Sequence, residues 1–322
     1  MNTDQYRHLY GPVPSRRLGR SLGIDLVPFK SCTYDCIYCQ LGRTTHKSLE
    51  RKPHVAVETI LAELERKLAE TDLPDYISLA GSGEPTLNAG IGELVAGIAR
   101  MTKVPVAVLT NGSLLWRRDV QDELLEADLV LPSLDAGDER LFRYVNRPHP
   151  DLGFKQVIDG VADFTRRYTG EVWLEVLLLA GVTGLPAEVE KITAVAGRIK
   201  PARVQLNTAS RPPAEEFAFP LIPARLRGFR AAFVGKVDII GDIGPAAATA
   251  RAITPIKDVD VMGLLSRRPC TASDVATGLG IHMNEALKIL DALLAAAVIT
   301  TVIVGGRTYH TVAAAPGKGA GA

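Results

Sequence analysis

Lys30-Ser-Cys32-Thr-Tyr-Asp-Cys36-Ile-Tyr-Cys39 packs three cysteines into eight residues, and the rest of the chain holds only one more, Cys270. Three free thiols this close in a polar loop have no packing purpose. In a reducing compartment they read as a metal site and not as a disulfide framework. Cluster irons take thiolate ligands, and three cysteines on one tight loop reach three irons of a cubane. The fourth iron then keeps a coordination position for a small molecule. Zinc is the alternative, and it normally wants four closed ligands. Cys270 is remote, so that reading needs nearby His46 as the fourth donor.

Outward from this loop the chain alternates short apolar runs with amphipathic ones. Strands are expected at residues 22–27, 76–80, 106–109, 129–134, 172–179, 203–206 and 237–240. Helical periodicity falls near 57–70, 90–101, 118–126, 154–168, 186–199 and 223–234. Strand, helix, strand at this rhythm means right-handed crossovers and a parallel α/β sheet, and six or seven such units close partly into a barrel. In a parallel barrel chemistry sits on the loops after the strands. The motifs obey that rule. Cys32 to Cys39 follows the first strand, Gly81-Ser82-Gly83-Glu84-Pro85-Thr86 the second, Thr110 to Gly112 the third, and Ser133 to Asp135 closes the fourth.

The bulk numbers agree with one large domain plus a small appendage. The chain has 322 residues, 47% hydrophobic and 23% charged, with a net charge of +1 that gives no global pull toward nucleic acid or membrane. No run approaches the ~20 apolar residues of a membrane span. The first residues lack a signal-peptide pattern, which gives a cytoplasmic expectation. The domain expectation is a core over 1–240, a Gly/Ala/Pro-rich linker over 241–255, a small domain over 256–312 and a disordered tail over 313–322.

The CxxxCxxC spacing, with Tyr38 just before the last cysteine, resembles the radical S-adenosylmethionine (SAM) superfamily signature. The resemblance covers about residues 10–240 and implies a partial (β/α)₆ barrel, a [4Fe-4S] cluster on Cys32, Cys36 and Cys39, and SAM chelated to the open iron. One electron from the cluster would then break SAM into methionine and a 5′-deoxyadenosyl radical that abstracts hydrogen from substrate. It further implies an electron donor such as flavodoxin or ferredoxin.

GSGEPT resembles the family's glycine-glycine-glutamate motif, which implies that Ser82, Gly83 and Glu84 grip the SAM ammonium. An ammonium offers donors only, so a carboxylate and exposed carbonyls suit it. By the same resemblance Tyr38 supports the adenine, and Asn111, Ser133 and Asp135 meet the ribose hydroxyls and the methionine end. The alternative for these last three is plain strand termination. Glu175 interrupts an apolar run, and a carboxylate there is costly unless it faces a polar lumen. Gln205 and Asn207 share one face by period two, and Asn207 is the better lumen candidate.

Residues 1–55 carry nine Lys/Arg against four Asp/Glu. Arg16 and Arg17, with Asn146-Arg147-Pro148-His149, read as an anion-binding rim or, equally, as braces for the cluster loop or solvated side chains. Gly11 to Arg20, CQLGRT and GSGEPT together are similar to the branch grouped with wyosine-type tRNA-modifying radical SAM proteins, which makes a tRNA base the leading substrate.

The C-terminal pattern, three helices and a hairpin about Gly305-Gly306, suggests a winged helix. Its five basic and five acidic residues cancel, so protein docking or barrel capping is favoured over nucleic-acid reading. The rivals are a non-catalytic iron–sulfur redox regulator that binds DNA through that domain, and a glycyl-radical activase.

Overall fold

The structure, a computed structural model, describes residues 6–240 and 258–313. The chain divides into two compact units, residues 1–247 and 248–322. The expected linker and all but the first residue of the expected tail lie outside the described residues.

The first unit is an eight-stranded sheet whose spatial order follows the chain: β1 Leu9–Ser15, β2 Gly19–Ile24, β3 Tyr76–Leu79, β4 Val106–Thr110, β5 Leu129–Pro132, β6 Glu171–Leu177, β7 Arg203–Asn207 and β8 Lys236–Ile239. β1 runs antiparallel to β2 and every later pair is parallel. The crossovers carry α1 Val57–Glu70, α2 Ile91–Met101, α3 Arg118–Glu123, α4 Glu139–Val145, α5 Phe154–Arg167, α6 Pro186–Ile199 and α7 Pro223–Gly228. Helical spacing explains their orientation. In α1 the buried stripe is Val57, Ile60 and Leu64, steps of three and four that put all three on one face. This is an α/β fold with a mainly parallel sheet.

Among the elements of the main sheet and its crossovers, β1 and α4 were not expected from periodicity. β1 contains Pro12 and Pro14, which cannot donate to a ladder and break the apolar alternation, and an edge strand is where prolines are tolerated. α4 is only seven residues long. Asp138 caps it by accepting the Leu141 N–H at 2.8 Å, and its far end leads into Asn146.

The turn between β1 and β2 is inserted and not peripheral. Leu18 is 3% exposed and packs with Ala107, Leu129 and Leu131 at the starts of β4 and β5, flanked by Tyr76, Leu109 and Trp173. Side chains that alternate along these strands make an apolar floor at their N-terminal ends. Polar residues, including a Ser21–Ser78 hydroxyl pair at 2.8 Å, follow toward the C-terminal ends.

The second unit contains α8 Asp258–Leu265, α9 Ala272–Leu279 and α10 Met283–Ala295, then an antiparallel hairpin of β9 Ile299–Val304 and β10 Arg307–Val312. Thr271 and Asp274 form a reciprocal capping box at the start of α9. Gly305 and Gly306 both take positive φ, 56° and 73°, the pairing a two-residue hairpin turn requires. Cys270 is fully buried and exchanges backbone hydrogen bonds with His310 at 3.0 and 2.7 Å, a structural position. Among the described residues no helix is long and apolar enough to cross a membrane.

Candidate functional site

The cysteine loop leaves the end of β2 and is pinned from two sides. On one side its backbone joins the loop after β3. Lys30 N–H donates to the Ser82 carbonyl at 2.6 Å, Glu84 N–H donates to the Ser31 carbonyl at 3.0 Å, and Ser31 pairs with Gly83. A Cβ on Gly83 would stand 1.9 Å from the Ser31 oxygen, so only glycine permits this approach. On the other side the loop sits on the C-terminal end of α4. Asp35 N–H donates to the Asn146 carbonyl at 3.0 Å and Ile37 N–H to the Val145 carbonyl at 2.9 Å. Arg43 closes the loop by reaching Asp35 at 2.9 Å and Glu215 at 2.7 Å.

Cys32, Cys36 and Cys39 are free thiols, half-buried, and Cys32 and Cys36 pack against the main core. Burial, with Glu84 nearby, pushes the Cys32 thiol up to about 12, and burial raises Cys36 and Cys39 as well. A bound metal centre deprotonates the thiols that ligate it. N–H donors already face two of the sulfurs. Tyr34 N and Asn111 Nδ2 each lie 3.5 Å from Cys32 Sγ, and Asn146 Nδ2 lies 3.6 Å from Cys36 Sγ. Hydrogen bonds to ligand sulfur are characteristic of iron–sulfur centres, so these residues fit a cubane cluster. Among the described residues no three His, Cys, Asp or Glu side chains converge on a single-ion site, and His46 is exposed. The Cys₃His zinc alternative therefore has no geometric support.

Glu84 is 2% exposed at the heart of the neighbouring loop. Its Oε1 accepts from Thr86 N–H at 3.1 Å and from the Thr86 and Thr110 hydroxyls at 2.6 Å each, while Oε2 accepts from Asn111 N–H at 2.7 Å. Burial raises its carboxyl above the usual range, and these donors oppose the rise. A carboxylate has about four acceptor sites, and Oε2 has used one of its two. The group can thus hold the loop and still present charge to a cation. Gly81 meets Asp25 in the same way that Gly83 meets Ser31. Its φ is 126°, and Asp25 Oδ1, which accepts the Ser82 N–H at 2.7 Å, lies 1.7 Å from where a Cβ would be.

The other expected residues fall into two groups. The Tyr38 hydroxyl donates to Asp135, which also accepts Asn146 Nδ2 at 2.7 Å and the Leu177 N–H at 3.3 Å. Burial pushes the Asp135 carboxyl up to about 6 despite those bonds. Ser133, half-buried, pairs by backbone with Glu175. Glu175 then joins the second group. Its carboxylate takes Arg17 in a bidentate ion pair, one arm at 2.8 Å, and accepts Asn207 Nδ2 at 2.8 Å. Burial alone would raise Glu175, but the Arg17 guanidinium and these hydrogen bonds hold it below the usual range. Gln205, opposite Glu175 in register, is 1% exposed. Asn111 lies between the loops, its amide on Thr33 Oγ1 at 2.7 Å and on Cys32.

For Arg17 and Asn146, which the sequence leaves open between a rim and a brace, the structure gives inward positions. Arg17 has only 14% of its side chain exposed, because the β1–β2 turn carries it inward over the floor made by Leu18. Asn146 is 2% exposed beneath the cysteine loop. The doubled arginine was a visible signal, but its partner is 158 residues away.

The radical SAM superfamily model matches residues 26–194. Among curated proteins, one from Brachyspira hyodysenteriae named GTPase Obg is 36% identical over 95% of this chain and 45% of its own length. A UPF0026 protein of Methanocaldococcus jannaschii is 38% identical over 66% of each chain, and one of Helicobacter pylori is 34% identical over 94% of this chain and 96% of its own. The chain thus spans less than half of the first of these relatives, two-thirds of the second and nearly all of the third. A radical SAM methyltransferase from Sphaerobacter thermophilus superposes with a TM-score of 0.51 at 18% identity, covering 68% of this chain and 65% of that one. SuiB of Streptococcus suis, bound to S-adenosylmethionine, gives 0.50 at 14% identity, covering 72% and 53%. These last two likenesses speak for the fold alone. With half of its length under the superfamily model and a full-length UPF0026 relative, this chain belongs to the radical SAM superfamily, a family that uses a [4Fe-4S] cluster and SAM, and within it to the UPF0026 proteins.

Proposed function

We propose that the protein is a radical SAM enzyme that cleaves S-adenosylmethionine reductively and uses the product radical to take hydrogen from a substrate. One arrangement carries this reading: the cysteine loop and the Gly81–Glu84 loop are hydrogen-bonded backbone to backbone across Ser31 and Gly83. A redox sensor that holds only a cluster has no use for that second loop. When bound, the cluster supplies the electron that splits SAM. The chain's own residues do the rest: Cys32, Cys36 and Cys39 ligate, Glu84 presents negative charge to the ammonium, and Tyr38 with Asp135 walls the adenosyl side. The sequential strand order, open between β1 and β8, suits a partial (β/α)₆ barrel with its lumen over the Leu18 floor. Reduced, reconstituted protein should release 5′-deoxyadenosine and methionine from SAM slowly without any substrate, measured by liquid chromatography. No 5′-deoxyadenosine above a cluster-free control would remove the reading.

The finer assignment is to the branch grouped with wyosine-type tRNA-modifying proteins, with a tRNA base as substrate and flavodoxin or ferredoxin as donor. It rests on the Gly11–Arg20 run, CQLGRT and GSGEPT. The three helices and hairpin of the second unit are read as a winged helix serving protein docking or barrel capping, since its charges balance. Full-length protein should retard bulk tRNA with affinity that falls as salt rises, because phosphate contacts release counterions. No retardation at low salt would discard the tRNA assignment and leave the SAM chemistry standing.

A further inference from the structure

We propose that Asn146 and Asn111 are positioning residues that set the reduction potential of the centre held by Cys32, Cys36 and Cys39, each by aiming an amide N–H at one ligand sulfur. The inference rests on the cluster reading above and adds to it the groups that tune the centre. Asn146 stands at the C-terminal end of α4, 2% exposed, where the backbone carbonyls of residues 145–147 already hold the cysteine loop. Its Nδ2 lies 2.7 Å from Asp135 Oδ2 and 3.6 Å from Cys36 Sγ. A carboxylate only accepts, so Asp135 dictates which end of the amide faces it. The NH₂ group has two hydrogens. One serves Asp135, and the other is delivered to the sulfur.

Asn111 repeats the device from the end of β4. Its Oδ1 accepts the Ser113 N–H at 2.9 Å, which fixes the amide orientation. Its Nδ2 hydrogens then go to Thr33 Oγ1 at 2.7 Å and Cys32 Sγ at 3.5 Å. Two amides, one from a strand end and one from a helix end, thus bracket the loop, each locked by a second partner before it meets sulfur. Reduction adds negative charge to the cluster and its thiolates, and a pre-oriented N–H stabilises that charge more in the reduced state than in the oxidised one. The donors therefore raise the potential and ease electron entry. Asp135 acts through Asn146, which joins the Tyr38 side of the pocket to the sulfur of Cys36.

The test is a potentiometric titration of the anaerobically reconstituted full-length protein, followed by electron paramagnetic resonance, with iron and sulfide counted on the same samples. Asn146→Leu keeps similar volume and removes the N–H. Its midpoint should fall by about 59 mV, a tenfold loss in a one-electron reduction equilibrium, with the iron count unchanged. Asn111→Leu should shift the same way, and Asn146→Ser, which retains a donor, should fall between wild type and Asn146→Leu. Wild-type midpoints in both leucine variants at full iron would overturn the proposal. Should Asn146→Leu lose iron, the decision passes to Asn111→Leu and Asn146→Ser, whose midpoints must still drop. A wild-type chain that takes up no iron overturns the cluster reading instead, which keeps the two failures apart.

Discussion

Anaerobic reconstitution should load about four irons and four sulfides per chain, and Cys32→Ala, Cys36→Ala or Cys39→Ala should each abolish the cluster. The effect is expected to be all-or-none. Each cysteine would hold a different iron, so removing one leaves an incomplete ligand set in a pocket that burial makes hostile to spare charge. Cys270→Ala is the control. That residue is fully buried in the second unit, where it pairs through its backbone with His310, and its loss should leave iron content unchanged. Metal analysis and visible absorbance decide the matter. Stoichiometric zinc with no iron-dependent absorbance, or iron loss in Cys270→Ala alone, would refute the assignment.

Glu84→Gln should weaken SAM binding by roughly ten- to a hundredfold, the range of a lost charge-assisted hydrogen bond of about 1.5–3 kcal/mol. Glutamine keeps the length of the side chain and an oxygen for Thr86 and Thr110, so the cluster should remain. Glu84→Ala goes further. It leaves the Thr86, Thr110 and Asn111 donors without their acceptor in a buried loop, and each buried unsatisfied group costs about 1–3 kcal/mol. The alanine variant should therefore lose SAM affinity and the most thermal stability, whereas the glutamine variant, whose amide nitrogen strands only the Asn111 N–H, should lose less stability. Calorimetric titration with SAM and a thermal melt separate the two. Wild-type SAM affinity in Glu84→Gln would mean that the carboxylate serves the loop alone.

The same contrast between local and distant partners governs what could be read from the residues in order. The cysteine spacing is a local property, so Cys32, Cys36 and Cys39 were legible at once, as was the GSGEPT loop one strand later. The parallel strands after β1 were legible because each is an apolar run between helical stripes, and hydrophobic periodicity survives without knowledge of the fold. The C-terminal hairpin was legible from Gly305-Gly306, since few other residues take positive φ twice in succession. α4 was not, because seven residues give too short a stripe. β1 was hidden by its prolines, which an edge strand accepts and a central one does not.

By itself, then, the sequence determined the α/β alternation, the cysteine-bearing loop and the placement of polar motifs at the ends of strands. Only the tertiary structure decided what those polar residues face. Arg17, open in the sequence between a rim cation and a brace, is the inward partner of Glu175, a pairing across 158 residues. Asn146 lies between Asp135 and Cys36, because α4 delivers its last turn beneath the cysteine loop. Glu84 gained a second task, accepting hydrogen bonds from Thr86, Thr110 and Asn111. The physical reason is common to all three. Whether a polar side chain meets water, a counter-charge or a sulfur depends on strand register and helix placement, which bring together residues that no short-range pattern links.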